Sequence, residues 1–179
     1  VPKVLAGTKD TWTITSSASN DESIEDKIIS GSTSADTVTG HTLTGDTDMS
    51  GDPGDSVTYH FTILNTGNSQ EKMDYTITSS WNIDNVGGST TLDMGASDRV
   101  SVTQTIPADA LASDTSTLTF SVLNGAGSSS SVTTSAKQVY GVTVSSGTLT
   151  GLKPGESGNL AFIVTNTGNG FDTFAIEHS

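Results

Sequence analysis

The sequence predicts an all-β protein built of antiparallel sandwiches, and three observations point to that class. A stretch at residues 54–68 recurs at residues 155–169, with each residue 101 positions after its partner. Within both copies apolar side chains alternate with polar ones, which is the period of a strand with one buried face. Pro-Gly opens both copies and Asn-Thr-Gly-Asn closes both, so turn residues stand at each end. The chain is therefore predicted to be a repeat protein.

The alternation assigns the same inward face to both copies. The inward positions are Val57, Tyr59, Phe61 and Ile63 in the first copy and Gly158, Leu160, Phe162 and Val164 in the second. A slip of one residue would turn the whole apolar set towards solvent. The agreement across the repeat therefore indicates a fixed buried face.

The chain opens near the end of one repeat. Residues 5–15 align with residues 111–121 at an offset of 106, which places Trp12 and Ile14 on the inward face. A further strand is expected to begin at the isoleucine pair that follows a polar, acidic loop. Residues 1–34 are therefore predicted to be the C-terminal part of a repeat, or a donor segment.

Residues 35–136 are predicted to form one complete sandwich. Its expected strands lie at residues 38–43, 56–65, 74–78, 90–94, 99–106, 115–123 and 128–134. About seven short strands with a turn signal every 8 to 12 residues are typical of an immunoglobulin-like sandwich. The fold class predicted is thus all-β, with immunoglobulin-like antiparallel β-sandwich repeats.

Residues 137–179 are predicted to be the N-terminal part of the next repeat. Strands are expected at residues 139–144 and 157–166, with Phe174 and Ile176 in a third. Three strands with an apolar face and no opposing sheet are marginal in water, so something must cover them. Either these residues are a window from a longer array, or strands of a neighbouring chain complete the sandwich, with the opening segment as donor.

Composition excludes several classes of function. Lys and Arg total 7 against 20 Asp and Glu, and the net charge of −13 would repel a phosphate backbone or an anionic lipid surface. Nucleic-acid binding and direct membrane insertion are therefore not expected, and no apolar run approaches the length of a membrane span. The absence of cysteine excludes disulfides, thiolate metal sites and cysteine nucleophiles.

No constellation of residues suggests an enzyme. No Gly-x-Ser-x-Gly elbow occurs, and His41, His60 and His178 are far apart in sequence without paired carboxylates. Trp12 and Trp81 could stack on a sugar, but core packing is the interpretation favoured for both. We therefore expect no catalytic residues.

One acidic loop is a candidate calcium site. Asp46, Asp48, Ser50 and Asp52 stand at positions 1, 3, 5 and 7 of a loop with glycine at position 6, and Asp55 follows. This spacing wraps oxygen ligands around calcium. Position 12 lacks the bidentate Glu, however, and no helices flank the loop. The alternative is a solvated acidic turn, because Asp and Gly are ordinary turn residues.

The motifs resemble those of a known family. The string Pro-Gly-[Asp/Glu]-Ser, an alternating strand, Asn-Thr-Gly-Asn, a later Trp and Val-Thr-Gln-Thr-Ile-Pro-Ala-Asp-Ala resembles tandem immunoglobulin-like domains of bacterial and archaeal surface proteins. These are the cell-adhesion-related bacterial domain and the related domain appended to secreted glycosidases. The resemblance implies an extracellular, structural or adhesive role and no catalytic residues.

These observations together predict a non-enzymatic building block of an extracellular filament, sheath or surface stalk. Its expected partners are identical subunits or neighbouring repeats, and calcium is its one candidate cofactor. The alternative is an accessory spacer, or a carbohydrate-binding or adhesion module, of a larger secreted protein. A filament subunit should associate through its exposed partial units, whereas a binding module should stay monomeric and retain a ligand.

Overall fold

A computed structural model describes residues 4–17, 27–125 and 127–177 of the chain. Within these ranges the protein forms thirteen β-strands and no helix, so none of the described segments is a helix that could span a membrane. In chain order the strands are β1 (Lys9–Ser16), β2 (Lys27–Ser34), β3 (His41–Gly45), β4 (Met49–Gly51), β5 (Ser56–Asn65), β6 (Glu71–Thr78), β7 (Asn82–Ile83), β8 (Gly87–Leu92), β9 (Ser97–Thr105), β10 (Thr115–Val122), β11 (Ser128–Ala136), β12 (Val142–Ser146) and β13 (Phe162–Asn166). The all-β prediction is confirmed.

Strands β3 to β11 form a two-sheet sandwich, called here the central sandwich. One sheet has the order β3-β5-β9-β7 and the other the order β4-β11-β10-β6-β8. All neighbours are antiparallel except β4, which runs parallel to β11. This division of strands between two facing sheets is that of an immunoglobulin-like sandwich.

The core of the central sandwich lies between the two sheets. Tyr59, Phe61 and Ile63 on β5 are fully buried, as the alternation predicts, and they belong to one cluster with Leu118 and Phe120 on β10. The Phe61 and Phe120 rings stack with centroids 4.9 Å apart. Aromatic pairs at this separation add to the stability that burial of their area provides.

A glycine makes room for the central ring. Gly45 on β3 lies opposite Phe61 on β5, and a Cβ added to Gly45 would stand 2.7 Å from that ring. A larger residue at position 45 would therefore force the Phe61 ring or the backbone beside it to shift.

Two strands of the sandwich are not predicted by the sequence, and one predicted strand does not form. β4 and β7 are three and two residues long, too short to show a period, and they are held by pairing with β11 and β9. Residues 171–177, where the third strand of the last repeat is expected, are not a strand. Their counterpart β6 is held on both sides by β10 and β8, and no described strand occupies those places beside residues 171–177.

Candidate functional site

Strands β1 and β2 form a separate antiparallel pair, called here the head hairpin. Its register repeats that of β10 and β11, because Trp12 pairs with Gly31 where Leu118 pairs with Val132. The turn before β1 also matches the turn before β10: the amide of Thr8 donates to Leu5 at 3.1 Å, and the corresponding bond before β10 is 3.0 Å long. The head hairpin therefore has the local geometry of the last two strands of the central sandwich.

Strands β12 and β13 form the other two-stranded end, called here the tail pair. Val142 pairs with Asn166 where His41 pairs with Asn65, and the five residue pairs of the tail pair all keep this offset of 101 from β3 and β5. The tail pair therefore has the local geometry of β3 and β5 in the central sandwich.

Both ends expose the apolar face that the central sandwich buries. Ile14 on the head hairpin is 60% exposed, whereas Phe120 at the matching position is fully buried. Phe162 on the tail pair is 62% exposed, whereas Phe61 is fully buried. Contiguous apolar surface of this kind marks sites where another protein surface packs.

Each Asn-Thr-Gly-Asn motif forms a tight turn that its first asparagine closes. Asn65 accepts a bond from the amide of Gly67 at 2.8 Å and donates to the carbonyls of Ser69 and Leu92, both at 2.8 Å. A Cβ on Gly67 would stand 2.5 Å from the carbonyl oxygen of Val38, so glycine is required there. Asn166 makes the equivalent bonds to Gly168 and Gly170.

The second asparagine of the first motif joins the head hairpin to the central sandwich. Its Oδ1 accepts from the amide of Val38 at 2.7 Å, and its Nδ2 donates to the carbonyl of Asp36 at 2.9 Å. The carbonyl of the same residue, Asn68, accepts from the amide of Ala6 at 2.9 Å. One residue thus contacts both the linker and the turn before β1.

The second motif makes the same joint between the central sandwich and the tail pair. Oδ1 of Asn169 accepts from the amide of Val139 at 2.7 Å, and its Nδ2 donates to the carbonyls of Lys137 at 2.8 Å and Ala110 at 3.1 Å. Its carbonyl accepts from the amide of Ala112 at 2.9 Å. Thr167, Gly168 and Asn169 also line a cleft of about 440 Å³ beside this joint.

The turn before β10 holds a serine in the left-handed region. Ser113 has φ of 73°, and Gly7 has φ of 77° at the matching position before β1. A residue with a side chain costs about 1–2 kcal/mol in this region. Glycine avoids that cost, but it also gives the unfolded chain more conformational freedom, which offsets part of the gain. We expect Ser113→Gly to raise the free energy of unfolding by about 1 kcal/mol, measured by urea denaturation. A loss of stability would contradict the assigned backbone geometry.

The candidate calcium ligands make separate contacts in the structure. Oδ2 of Asp46 accepts from the amide of His60 at 2.9 Å, and Oδ1 of Asp48 accepts from the amide of Thr133 at 2.7 Å. Ser50 lies in the middle of β4. Oδ2 of Asp55 accepts from the amide of Asp52 at 2.9 Å.

Three of these carboxylates thus bind backbone amides. Among the residues that the structure describes, no group of three or more His, Cys, Asp or Glu side chains is placed to hold a metal ion. Glu156 repeats the turn bond of Asp55 by accepting from the amide of Lys153 at 2.9 Å, which favours a structural role for that position. Calcium binding stays a prediction.

If calcium binds, titration of calcium into the full chain should give a saturable heat signal in calorimetry, and Asp46→Asn should lose that signal.

The side chains of Asp46 and His60 lie within hydrogen-bond distance of each other beside the four-stranded sheet. Nδ1 of His60 lies 3.1 Å from Oδ2 of Asp46, and both side chains are about one-third exposed. The bond from the His60 amide, and then the His60 side chain, lower the pKa of Asp46 below its ordinary value of 3.8. The ionised carboxylate is therefore more favourable in the folded protein than in the unfolded chain.

This shift predicts a loss of stability in acid. A carboxyl with a lowered folded pKa stabilises the fold above its unfolded pKa, and the contribution disappears as the pH falls through the folded value. Between about pH 5 and pH 1 the wild type should therefore lose more unfolding free energy than Asp46→Asn. Urea titrations across this range test it, with Asp98→Asn in the same sheet as the control. A constant difference between wild type and Asp46→Asn would contradict the assignment.

The residues considered for catalysis or sugar stacking are dispersed. His41 lies on β3, where its Nε2 is 2.9 Å from Oγ of Ser128, whereas His60 lies on β5. His178 lies outside the described residues. Trp81 is half-buried against the small cluster of Ile106, Ala110 and Ala136. Trp12 is 45% exposed and its ring lies over Gly31, because the head hairpin has no facing sheet among the described strands.

No protein-family model matches the chain, and no curated protein matches it in sequence. The solved structures that are similar to it include the following three. SSP-19, an MSP-domain protein like family member of Caenorhabditis elegans, is 21% identical over 52% of this chain and 98% of its own, with a TM-score of 0.36. PapD-like domain 7 of human CEP192 is 9% identical over 52% and 84%, with a TM-score of 0.35. Native alpha-2-macroglobulin of Escherichia coli, from domain MG7 to the C-terminus, is 12% identical over 64% and 20%, with a TM-score of 0.40.

Proposed function

We propose that this protein is a non-enzymatic structural building block of an extracellular filament, sheath or surface stalk of a bacterium or archaeon. In this proposal residues 1–34, 35–136 and 137–179 belong to three successive immunoglobulin-like units, of which the middle one is complete. Calcium is its one candidate cofactor. The observation that carries the proposal is the pair of open ends, which expose apolar faces at the positions that the central sandwich buries.

The central sandwich provides the template for how such ends are covered. There the strand pair β10–β11 supplies Leu118 and Phe120 against Phe61 on β5. The head hairpin has the register of β10–β11, and the tail pair has the register of β3–β5. A head hairpin from a neighbouring unit, in the same chain or in a second copy, would therefore cover the apolar face of a tail pair, as β10–β11 cover β3–β5 from the opposite sheet.

The surface supports the same role. A net charge of −13 keeps a long array soluble, because like-charged units repel one another outside their joints. The resemblance of the repeated motifs to tandem domains of surface proteins supports the extracellular location. Burying the exposed apolar side chains of both ends supplies the free energy of association.

Sedimentation of the full 179-residue chain across a range of concentrations tests the proposal. The wild type should associate as its concentration rises, and Phe162→Asp should abolish association, because a carboxylate cannot be buried unpaired in the covered face. Val86→Asp is the matched control, since Val86 is 71% exposed on the central sandwich. A chain that stays monomeric at every concentration would overturn the proposal in favour of an accessory or adhesion module.

The mass of the native material separates the two forms of assembly. A filament whose covalent chain is close to 18.3 kDa would mean that neighbouring chains complete each other's sandwiches. A much heavier covalent chain would mean that tandem units of one chain cover each other. A compact single-chain particle in negative-stain micrographs would contradict both.

A further inference from the structure

The two joints of the chain are built from the same bonds. At the joint between the head hairpin and the central sandwich, the three bonds of Asn68 to Val38, Asp36 and Ala6 measure 2.7, 2.9 and 2.9 Å. The corresponding bonds of Asn169, at the joint before the tail pair, measure 2.7, 2.8 and 2.9 Å. Agreement at two independent places indicates one defined contact surface.

Each joint connects three segments that are distant in sequence. The turn of one unit contacts the linker before it through the asparagine side chain, and it contacts the preceding unit through the asparagine carbonyl. Ala6 and Ala112, which donate to those carbonyls, lie at equivalent positions in the turns before β1 and β10. The preceding unit is therefore bonded directly to the turn, and not only connected to it through the linker.

Neighbouring units in one chain normally move relative to each other unless a sizeable interface restrains them. Here one bond between backbone groups at each joint opposes that motion, and such a bond contributes about 0.5–1.5 kcal/mol. In arrays of repeats the rotation between neighbours determines the curvature and twist of the whole array.

We infer that the second asparagine of each Asn-Thr-Gly-Asn motif, Asn68 and Asn169, seats its unit on the preceding unit through one repeated docking surface. The partner of this surface is the turn before the penultimate strand of the preceding unit. Successive units then advance by the same rotation and translation at every joint. The inference rests on the division into units made in the proposed function, but it does not require that separate chains associate.

Distances between pairs of spin labels in the full chain test the inference. The chain lacks cysteine, so only the two introduced cysteines carry labels. Thr42→Cys with Thr143→Cys spans the joint before the tail pair, and both positions are exposed, as are the two positions of the second pair. Thr11→Cys with Thr117→Cys spans the joint after the head hairpin. Each pair should give a single narrow distance distribution in double electron–electron resonance.

Proline substitution breaks one joint without breaking its turn. The amide of Asp114 donates to the carbonyl of Leu111, and Ser113 has a positive φ, as in a type II turn, whose second residue accepts proline. Ala112→Pro thus keeps the turn and removes the amide that binds Asn169. It should broaden or displace the Thr42–Thr143 distribution.

Two comparisons make the result specific. Ser113→Gly changes the same turn but keeps the Ala112 amide, so it should leave the distribution narrow. Ala6→Pro should broaden the Thr11–Thr117 distribution alone. The amide of Thr167, which donates to Gly141, should stay protected from hydrogen exchange in Ala112→Pro, which would show that the tail turn is intact.

The possible outcomes separate this inference from the proposed function. A broad distribution in the wild type, or an unchanged one in Ala112→Pro, would overturn the fixed joint even if the chain associates. A narrow distribution that Ala112→Pro broadens, in a chain that never associates, would support the joint and overturn the filament.

Discussion

Phe120→Ala is expected to lower the free energy of unfolding of the central sandwich by about 3–5 kcal/mol. Phe120 is fully buried, and its ring stacks between those of Phe61 and Tyr75, with centroids 4.9 Å from each. Removing the ring loses the burial of its area and two stacked contacts. It also leaves a cavity, because the hydrogen bonds between strands keep the two sheets from closing over it.

The expected loss is a large part of the 5–15 kcal/mol that holds a domain folded. Urea denaturation followed by tryptophan fluorescence measures it, in a Trp12→Phe background so that the signal comes from Trp81, which packs at the edge of the same sandwich. Leu123→Ala is the control, because Leu123 directly follows β10 but is 60% exposed and should change stability little. Equal losses for the two variants would contradict the assigned core.

The sequence predicts the long strands of the central sandwich well because their period is long enough to read, whereas the strand expected at residues 157–166 forms only over Phe162–Asn166. β5 spans Ser56–Asn65, the range that the alternation predicts, and β10 ends one residue before its predicted end. The repeat supplies a second, independent signal for the register of both ends. The short strands β4 and β7 escape prediction because distant pairing partners create them.

For the buried polar residues, the sequence predicts the direction of the side chain but not its hydrogen-bond partners. Gln104 stands at an inward position of a clearly alternating strand, yet its partners cannot be read from the sequence. Its Nε2 donates to Ser116 on β10 at 3.0 Å and to Ser79 after β6, and its Oε1 accepts from Thr134 on β11. The alternation gives the direction of the side chain, and only the packing of both sheets gives its hydrogen bonds.

Tyr59 completes this network and shows the same division. Its ring is predicted to point inward and does, and its hydroxyl lies 2.7 Å from Oγ1 of Thr134. Burial raises the pKa of Tyr59, because the phenolate would lose its hydration. A buried hydroxyl without this partner would cost stability.

The joints are the part of the candidate site that sequence reasoning missed. Asn-Thr-Gly-Asn is readable as a turn, and the recurrence of its last asparagine is a usable signal. The contacts of Asn68 with Ala6 and of Asn169 with Ala112 join segments far apart in the chain, so periodicity and turn chemistry do not report them. The alignment of the two copies shows that the whole Asn-Thr-Gly-Asn motif recurs, but it does not show what the last asparagine contacts.

The first asparagine of the motif gives the second large effect. Asn65→Ala is expected to lower the free energy of unfolding by about 3 kcal/mol, because a buried polar group left without its partner costs about 1–3 kcal/mol. Asn65 is fully buried, and the substitution removes the side-chain donor of the carbonyls of Leu92 and Ser69, whereas the amide of Gly67 keeps its bond to the carbonyl of Gly40. Urea denaturation of the full chain measures the loss.

Asn166→Ala is the matched control, since it removes the same side chain from the same turn in an exposed setting. Asn166 bonds Gly168 and Gly170, but water can reach those groups once the side chain is gone. Its loss should therefore cost the central sandwich little. If Asn166→Ala proves as costly as Asn65→Ala, the tail turn is buried in solution, which would mean that a neighbouring unit already covers it.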